Sequence, residues 1–207
     1  MDNHRASRSD PSTMGATFID EQLLALYTHA SLLADWIENG EPAPDLSAAE
    51  RLIENRHAHA ESKAESSGGT PLKHPKPEPL PPYPCVDDAS GRMSAALRVP
   101  CLNAIVAVAA FFDTHRLSSS RTPEVQFLMR LRDAAVNADT FRFAPGESRP
   151  RAAYGGLIID ERLDGRSLFG NGVEPGLVTF GDVVGLLAYL RALLRSMQSL
   201  ISSGDAG

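Results

Sequence analysis

The sequence predicts a mainly α protein: a helical bundle with one small β-hairpin and a disordered proline-rich insert. Three observations carry this reading. Apolar residues recur at three-and-four spacing near both ends of the chain, the signature of amphipathic helices. The run from Pro100 to Phe112 is almost continuously apolar and too long for an ordinary strand. Between the two, residues 61–91 turn polar and then proline-rich, so they have little to bury. Residues 1–16 are expected to be a flexible lead-in, 17–201 one helical domain interrupted by the linker at 61–91, and 202–207 a flexible tail.

The first helix is expected from Thr17, with Ile19, Leu23, Leu26, Tyr27, Ala30, Leu33 and Ile37 on one stripe. Thr17 caps its start, and Asn39, Gly40 and Pro42 stop it. Trp36, the only tryptophan, flanks the stripe as a packing residue. A capping box at Ser47 and Glu50 marks a second helix that fades after Ile53. His57 and His59 sit two apart, which points them to opposite sides of a helix and makes no metal pair. Each proline of TPLKHPKPEPLPPYP fixes its own backbone and removes a donor, and PKPEPLPP has the PxxP spacing that docks in aromatic grooves.

Pro100 is expected in the first turn of the apolar helix. The next helix opens with Thr122 as cap, Pro123 at the first position and Glu124 near the positive end of the dipole. It carries Arg132 and ends at Asn137, a residue suited to closing a helix in a left-handed conformation. Phe141 and Phe143 alternate around Arg142 as a strand or extended arm. A hairpin is expected between Gly156–Asp160 and Arg166–Phe169, turning at Asp164-Gly165. The last helix opens at Thr179 with Asp182 three residues on. Its stripe runs Val183, Leu187, Leu190, Leu194, Met197 and Ile201, widened by Leu186, Leu193 and Leu200. A face that broad is one wall of a bundle or a homodimer surface.

Composition narrows the function. Hydrophobic residues at 43% and charged residues at 22% are ordinary for a globular chain, and no apolar run is expected to span a bilayer. The N-terminus lacks the apolar core of a secretory signal, so a cytoplasmic protein is expected. Cys85 and Cys101 form neither a disulfide framework nor a metal cluster and are read as free thiols. The formal charge of -6 argues against a generally basic nucleic-acid surface. Neither GxGxxG nor a GK[ST] loop occurs. Arginine outnumbers lysine 17 to 3, for which a GC-rich genome is the plain explanation.

LRDAAVNADTFRF (131–143), followed by YGGLIIDERLDGRSLFG and a long apolar helix, resembles the tail of HEPN-type proteins, helical domains frequent among prokaryotic toxins and antiphage ribonucleases. The likeness covers roughly Pro100 to Ile201. The family motif is an arginine, a polar residue, and a histidine four to six positions after the arginine. Arg132 matches the arginine and Asp133 the polar residue, but the histidine position holds Asn137. The resemblance implies a homodimer that brings two motifs into one cleft and acts on RNA without a metal or other cofactor. Arginine would hold the phosphate and histidine would move the proton. An amide moves no proton near pH 7, so Asn137 implies an RNA-binding derivative or a weakened ribonuclease. His115, the only histidine after the linker, is the alternative proton carrier. The resemblance also admits an antitoxin or other protein partner, which the sequence does not identify. The reading from a different class is a non-catalytic scaffold that dimerises through its last helix and holds a protein partner, with Arg132 paired to an acid and Asn137 simply ending a helix.

Overall fold

The computed structural model describes residues 10–39, 89–144, 146, 149–170 and 175–204. By backbone contacts the chain divides into Met1–Asp35 with Val86–Gly207, and Trp36–Cys85. The first unit holds nearly all the described residues. Among the described residues four helices run in the order α1 (Pro11–Glu38), α2 (Ala89–Thr114), α3 (Pro123–Val136) and α4 (Phe180–Gly204), with the hairpin β1 (Ala152–Tyr154) and β2 (Leu157–Ile159) between α3 and α4. The fold is therefore mainly helical with one two-stranded antiparallel sheet, as the spacing predicts. The capping box at Ser47, both His57 and His59, Cys85 and the PxxP segment lie outside the described residues.

Helix α2 organises the core. Leu97, Cys101, Ala104, Ile105, Val108, Ala109 and Phe112 are all buried, three- and four-residue steps that present one face to α3 and α4. Pro100 lies inside this helix, eleven residues past its first residue, rather than in its first turn. The sequence misleads here because proline normally ends or starts a helix. The stripe had in fact already begun at Leu97, one turn before Cys101, and the linker boundary at residue 91 overlaps the helix. Ala95–Thr114 is, by length and composition, long and apolar enough to cross a membrane, which corrects the expectation that no such stretch exists. Its buried face packs against α3 and α4.

Helix α1 starts six residues before Thr17 because Asp10-Pro11 supplies a better beginning. The Asp10 carbonyl accepts from Met14 N–H at 3.1 Å, Ser12 Oγ donates to the Asp10 carboxylate, and proline is at home in the first turn. Ser12, Gly15 and Ala16 are consequently buried, not part of a flexible lead-in. At Gly15 the helix comes so close that a Cβ would lie 2.7 Å from the Phe111 ring and 2.8 Å from Leu194. Phe18 stacks on Phe111 at 5.7 Å, and Asp20 reaches Arg191 and Arg195 of α4 at 2.7 and 2.6 Å.

Helix α4 opens as expected. Thr179 N–H donates to Asp182 Oδ2 at 2.8 Å and Asp182 N–H donates back to Thr179 Oγ1 at 3.3 Å. Val183, Leu186, Leu187, Leu190 and Leu194 are buried within the single chain, so both apolar rows of this part of α4 serve the monomer's own core. The helix continues to Gly204, past the expected tail boundary at 202.

The hairpin is correct in kind and misplaced in register. Leu157–Ile159 pairs with Ala152–Tyr154, and the turn is Gly155-Gly156, where φ is +56° and +88°. Only glycine enters both positions freely, which fixes this as the two-residue turn. Asp160 then diverts the chain. Its side chain accepts from Arg162 N–H at 3.0 Å and caps a 3-10 turn over Glu161–Leu163, which uses up the Asp164-Gly165 signal before it can reverse a strand.

Candidate functional site

Helix α3 delivers the motif. Thr122 stands at the N-cap, but its hydroxyl is 2.6 Å from Ser120 Oγ rather than bonded to the helix. Gln126 anchors the start instead, donating through Nε2 to Ser120 O at 2.7 Å and Ser118 O at 3.3 Å. The helix buries Val125, Phe127, Leu128, Met129, Leu131 and Ala134. Along the face one turn apart, the chain climbs out of the core: Leu128 is fully buried, the Arg132 side chain is 27% exposed and Val136 is 68% exposed.

Arg132 is held between two carboxylates. Its Nε and Nη2 donate to Asp133 Oδ1 at 3.1 and 2.8 Å, and its Nη1 pairs with Asp113 at the end of α2. Burial by itself would lower the Arg132 pKa, but the hydrogen bond and charge of Asp133, reinforced by Asp113, raise it. A guanidinium has five N–H donors, so three such bonds leave two for a ligand. Asp133 is shared, lying 3.5 Å from Arg130 as well.

Asn137 closes α3 without adopting the left-handed conformation expected of it. Its φ is −96°, and the next two residues, Ala138 and Asp139, take φ +53° and +61° instead. Thr140 N–H bonds back to Ala134 O at 3.1 Å, and Asn137 Nδ2 donates to Thr140 O at 3.0 Å. The amide thus braces the turn with its donor, while the residue stays exposed. His115 does not join it: the imidazole packs on the Phe111 ring at 4.3 Å. Arg132 and Asp133 are therefore brought together, with Asn137 one turn beyond, and among the described residues no histidine contacts any of them.

The two left-handed residues aim the chain at a second polar cluster, which the sequence does not announce. Residues 139–141 run antiparallel to 165–168: Phe141 N–H donates to Arg166 O, Gly165 N–H to Phe141 O and Leu168 N–H to Asp139 O, each at 2.9 Å. Asp139 is buried here. Its Oδ2 takes Arg98 Nη2 from α2 and Ser167 Oγ, both at 2.7 Å, and Ser167 Oγ accepts from Gly170 N–H at 2.9 Å. Its Oδ1 is buried with no hydrogen-bond donor. A cleft of about 240 Å³ opens at this point, lined by Arg98, Asp139, Thr140, Arg166, Ser167 and Gly170 among others. The only hint in the sequence was the polar step Asn137-Ala138-Asp139 at a helix end, since aspartate tolerates a left-handed backbone. Burial of the carboxylate had no sequence signal at all.

Compared with known proteins, the chain matches no family model, no curated protein and no solved structure. Among the described residues no group of three or more histidine, cysteine, aspartate and glutamate side chains is placed to hold a metal ion. Cys101 is no nucleophile, because burial pushes its thiol up to about 12. The side chains gathered at this end of α3 are guanidinium groups and carboxylates.

Proposed function

We propose that this chain is a HEPN-like, RNA-directed domain of a toxin or antiphage defence system, cytoplasmic and homodimeric, in a form that binds RNA rather than cutting it efficiently. The observation that carries the reading is Arg132: a guanidinium fixed by Asp113 and Asp133, still partly exposed, with two N–H groups left for a phosphate. Among the described residues no histidine takes the motif's place beside it: Asn137 supplies an amide and His115 is packed against Phe111, so the histidine's share of general acid–base chemistry, typically a hundredfold to ten-thousandfold contribution, is unfilled. Exposed Val136, next to Asn137, offers an apolar contact for a second copy at the same helix end.

The test is RNA binding by fluorescence anisotropy at rising salt. Arg132→Ala in a folded protein lowers affinity and flattens the salt dependence by about one phosphate contact. Asp113→Asn, which releases one arm of Arg132, raises it. Unchanged affinity in both variants sinks the proposal. Asn137→His is expected to introduce RNA cleavage if two motifs meet in a dimer.

A second reading rests on the same ion pairs. Asp113, Arg132 and Asp133 also join α2 to α3, which is what a scaffold needs. In that case Arg132→Ala changes stability alone and RNA does not bind.

A further inference from the structure

The cleft beside Asp139 is built at a cost. Two consecutive non-glycine residues, Ala138 and Asp139, hold left-handed backbone, and such strain persists only where the surroundings impose it. The surroundings are specific. Leu168 N–H grips the Asp139 carbonyl at 2.9 Å, Arg98 and Ser167 grip one carboxylate oxygen, and Gly170 N–H orients Ser167. The segment next to the lining residue Gly170 is as tight: a Cβ at Gly176 would overlap the backbone of Phe169 and Gly170. With this much holding it, Asp139 still leaves Oδ1 buried without a donor. A buried acceptor in that state is costly, and the chemistry that relieves it is an N–H.

Charge narrows the ligand further. Arg98 balances Asp139, and Arg166 lines the same cleft with an exposed side chain, which leaves a positive excess among the described residues that line it. A simple cation is disfavoured by that excess. A bare anion gives Oδ1 nothing. A group that carries an N–H donor and stands next to a negative charge satisfies both. The volume of about 240 Å³ lies below the roughly 300–1,000 Å³ of pockets for drug-sized molecules, so one planar ring fits better than a larger metabolite.

We infer that this cleft reads one nucleobase, taking an amino or imino N–H of its edge onto Asp139 while the neighbouring phosphate meets Arg166. The inference rests on the RNA-directed reading above and gives it a specificity element separate from Arg132. Phosphate contacts fix position and base-edge contacts discriminate, and the two clusters at the end of α3 divide those tasks.

Calorimetric titration of the full chain tests it with the four ribonucleoside 5′-monophosphates, 3-methyluridine 5′-monophosphate, whose base has no N–H, and inorganic phosphate. At least one N–H-bearing nucleotide binds about tenfold or more tightly than the methylated nucleotide and than phosphate, as expected for a hydrogen bond to a charged group. Asp139→Asn erases this preference. The arginine and serine on Oδ2 draw the amide oxygen to their side and leave an NH2 where the acceptor stood, and asparagine tolerates the left-handed backbone as well as aspartate does. Arg166→Ala, at an exposed position, weakens all the nucleotides while preserving their order. Homopolymer RNA that binds more tightly than its own monophosphate assigns the pocket to a strand; equal binding assigns it to a free nucleotide, and both support a base-reading cleft. Equal binding of methylated and unmethylated nucleotides, or no nucleotide binding by the wild-type chain, overturns the inference. If RNA affinity responds to Arg132→Ala while these titrations stay flat, the base pocket fails alone. If nucleotides bind through Asp139 while Arg132→Ala leaves RNA affinity untouched, the proposed phosphate site at Arg132 fails and the pocket stands.

Discussion

Two arginine–aspartate clusters border the end of α3, and α2 contributes to both. In the first, Arg132 lies between Asp113 and Asp133, whose side chains are 46% and 43% exposed. In the second, Arg98 meets Asp139, whose side chain is only 5% exposed and also holds Ser167. Water competes for both partners at the first; at the second it reaches Arg98, whose side chain is 39% exposed, but not the Asp139 carboxylate. Exposed ion pairs contribute about 0–1 kcal/mol each, whereas a buried carboxylate that holds its hydrogen bonds away from water contributes more. The residues that resemble a known motif therefore fall on the cluster that matters less to the fold. The cluster built with strain and burial lies a few residues further on. A site that binds and releases a charged ligand needs the first kind of surroundings; one that discriminates needs the second.

The largest expected effect probes the segment that packs on Leu168–Gly170, beside the buried cluster. Gly176→Ala places a methyl into the backbone of Phe169 and Gly170, with no flexible side chain to give way. A loss of about 3 kcal/mol in urea unfolding is expected from such overpacking. A loss below about 1 kcal/mol would mean the segment carrying Ser167 is loosely held and the cleft is not preorganised.

Asp139→Ala comes next. It removes the acceptor of Ser167 Oγ and of Arg98, whose 39% exposed side chain returns to water, and leaves a β-carbon in a left-handed residue, so about 1 to 2 kcal/mol is expected to go, measured by the same melts. Asp139→Asn should lose distinctly less, since the amide keeps an acceptor for Arg98. A pair of equal losses would place the contribution in the backbone rather than in the carboxylate.

Arg132→Ala is expected to cost no more than about 1 kcal/mol, because both partners return to water. That contrast with Asp139→Ala is the sharpest check on the comparison. Equal effects would erase the distinction between an exposed and a buried cluster.

What the sequence made legible follows from where the signals are local. The Thr122-Pro123-Glu124 start of α3, its stop at Asn137 and the Thr179–Asp182 box are all contained within a few residues, and the structure has each boundary there. Signals that compete were misread. Pro100 looks like a beginning and is interior; Asp164-Gly165 looks like a hairpin turn, but Gly155-Gly156 turns first and the Asp160 cap rules out a second reversal. The site divides in the same way. Arg132, Asp133 and Asn137 lie within two helical turns and could be named together. Asp139 joins Arg98, 41 positions earlier, and Ser167, 28 later, and no spacing rule links residues that meet only after α2 and the 139–141 arm have packed.

The smallest effect concerns a third cluster that inverts the first: one carboxylate, Asp20, between two guanidinium groups, Arg191 and Arg195, joining α1 to α4. The hydrogen bond from Arg191, more than any other influence, holds the Asp20 pKa below its ordinary 3.8, with the charge of Arg195 adding to it. Because the folded value is depressed, the stabilisation is fully present above the unfolded value near 3.8 and is lost as pH falls through the folded one. Asp20 is more than a third exposed, so solvent screening keeps the contribution below about 1 kcal/mol. Between pH 7 and 5 the wild-type chain and Asp20→Asn should therefore differ by a small constant amount, and the difference should shrink below pH 4 as the wild-type carboxylate takes up its proton. Raising salt to about 1 M, where the screening length is roughly 3 Å, should shrink it at every pH. The gap between wild type and Asp139→Ala, which removes a buried, hydrogen-bonded carboxylate, should persist under that salt; if both gaps collapse together, Asp139 belongs with the surface pairs and the division between the two sides of α3 does not hold.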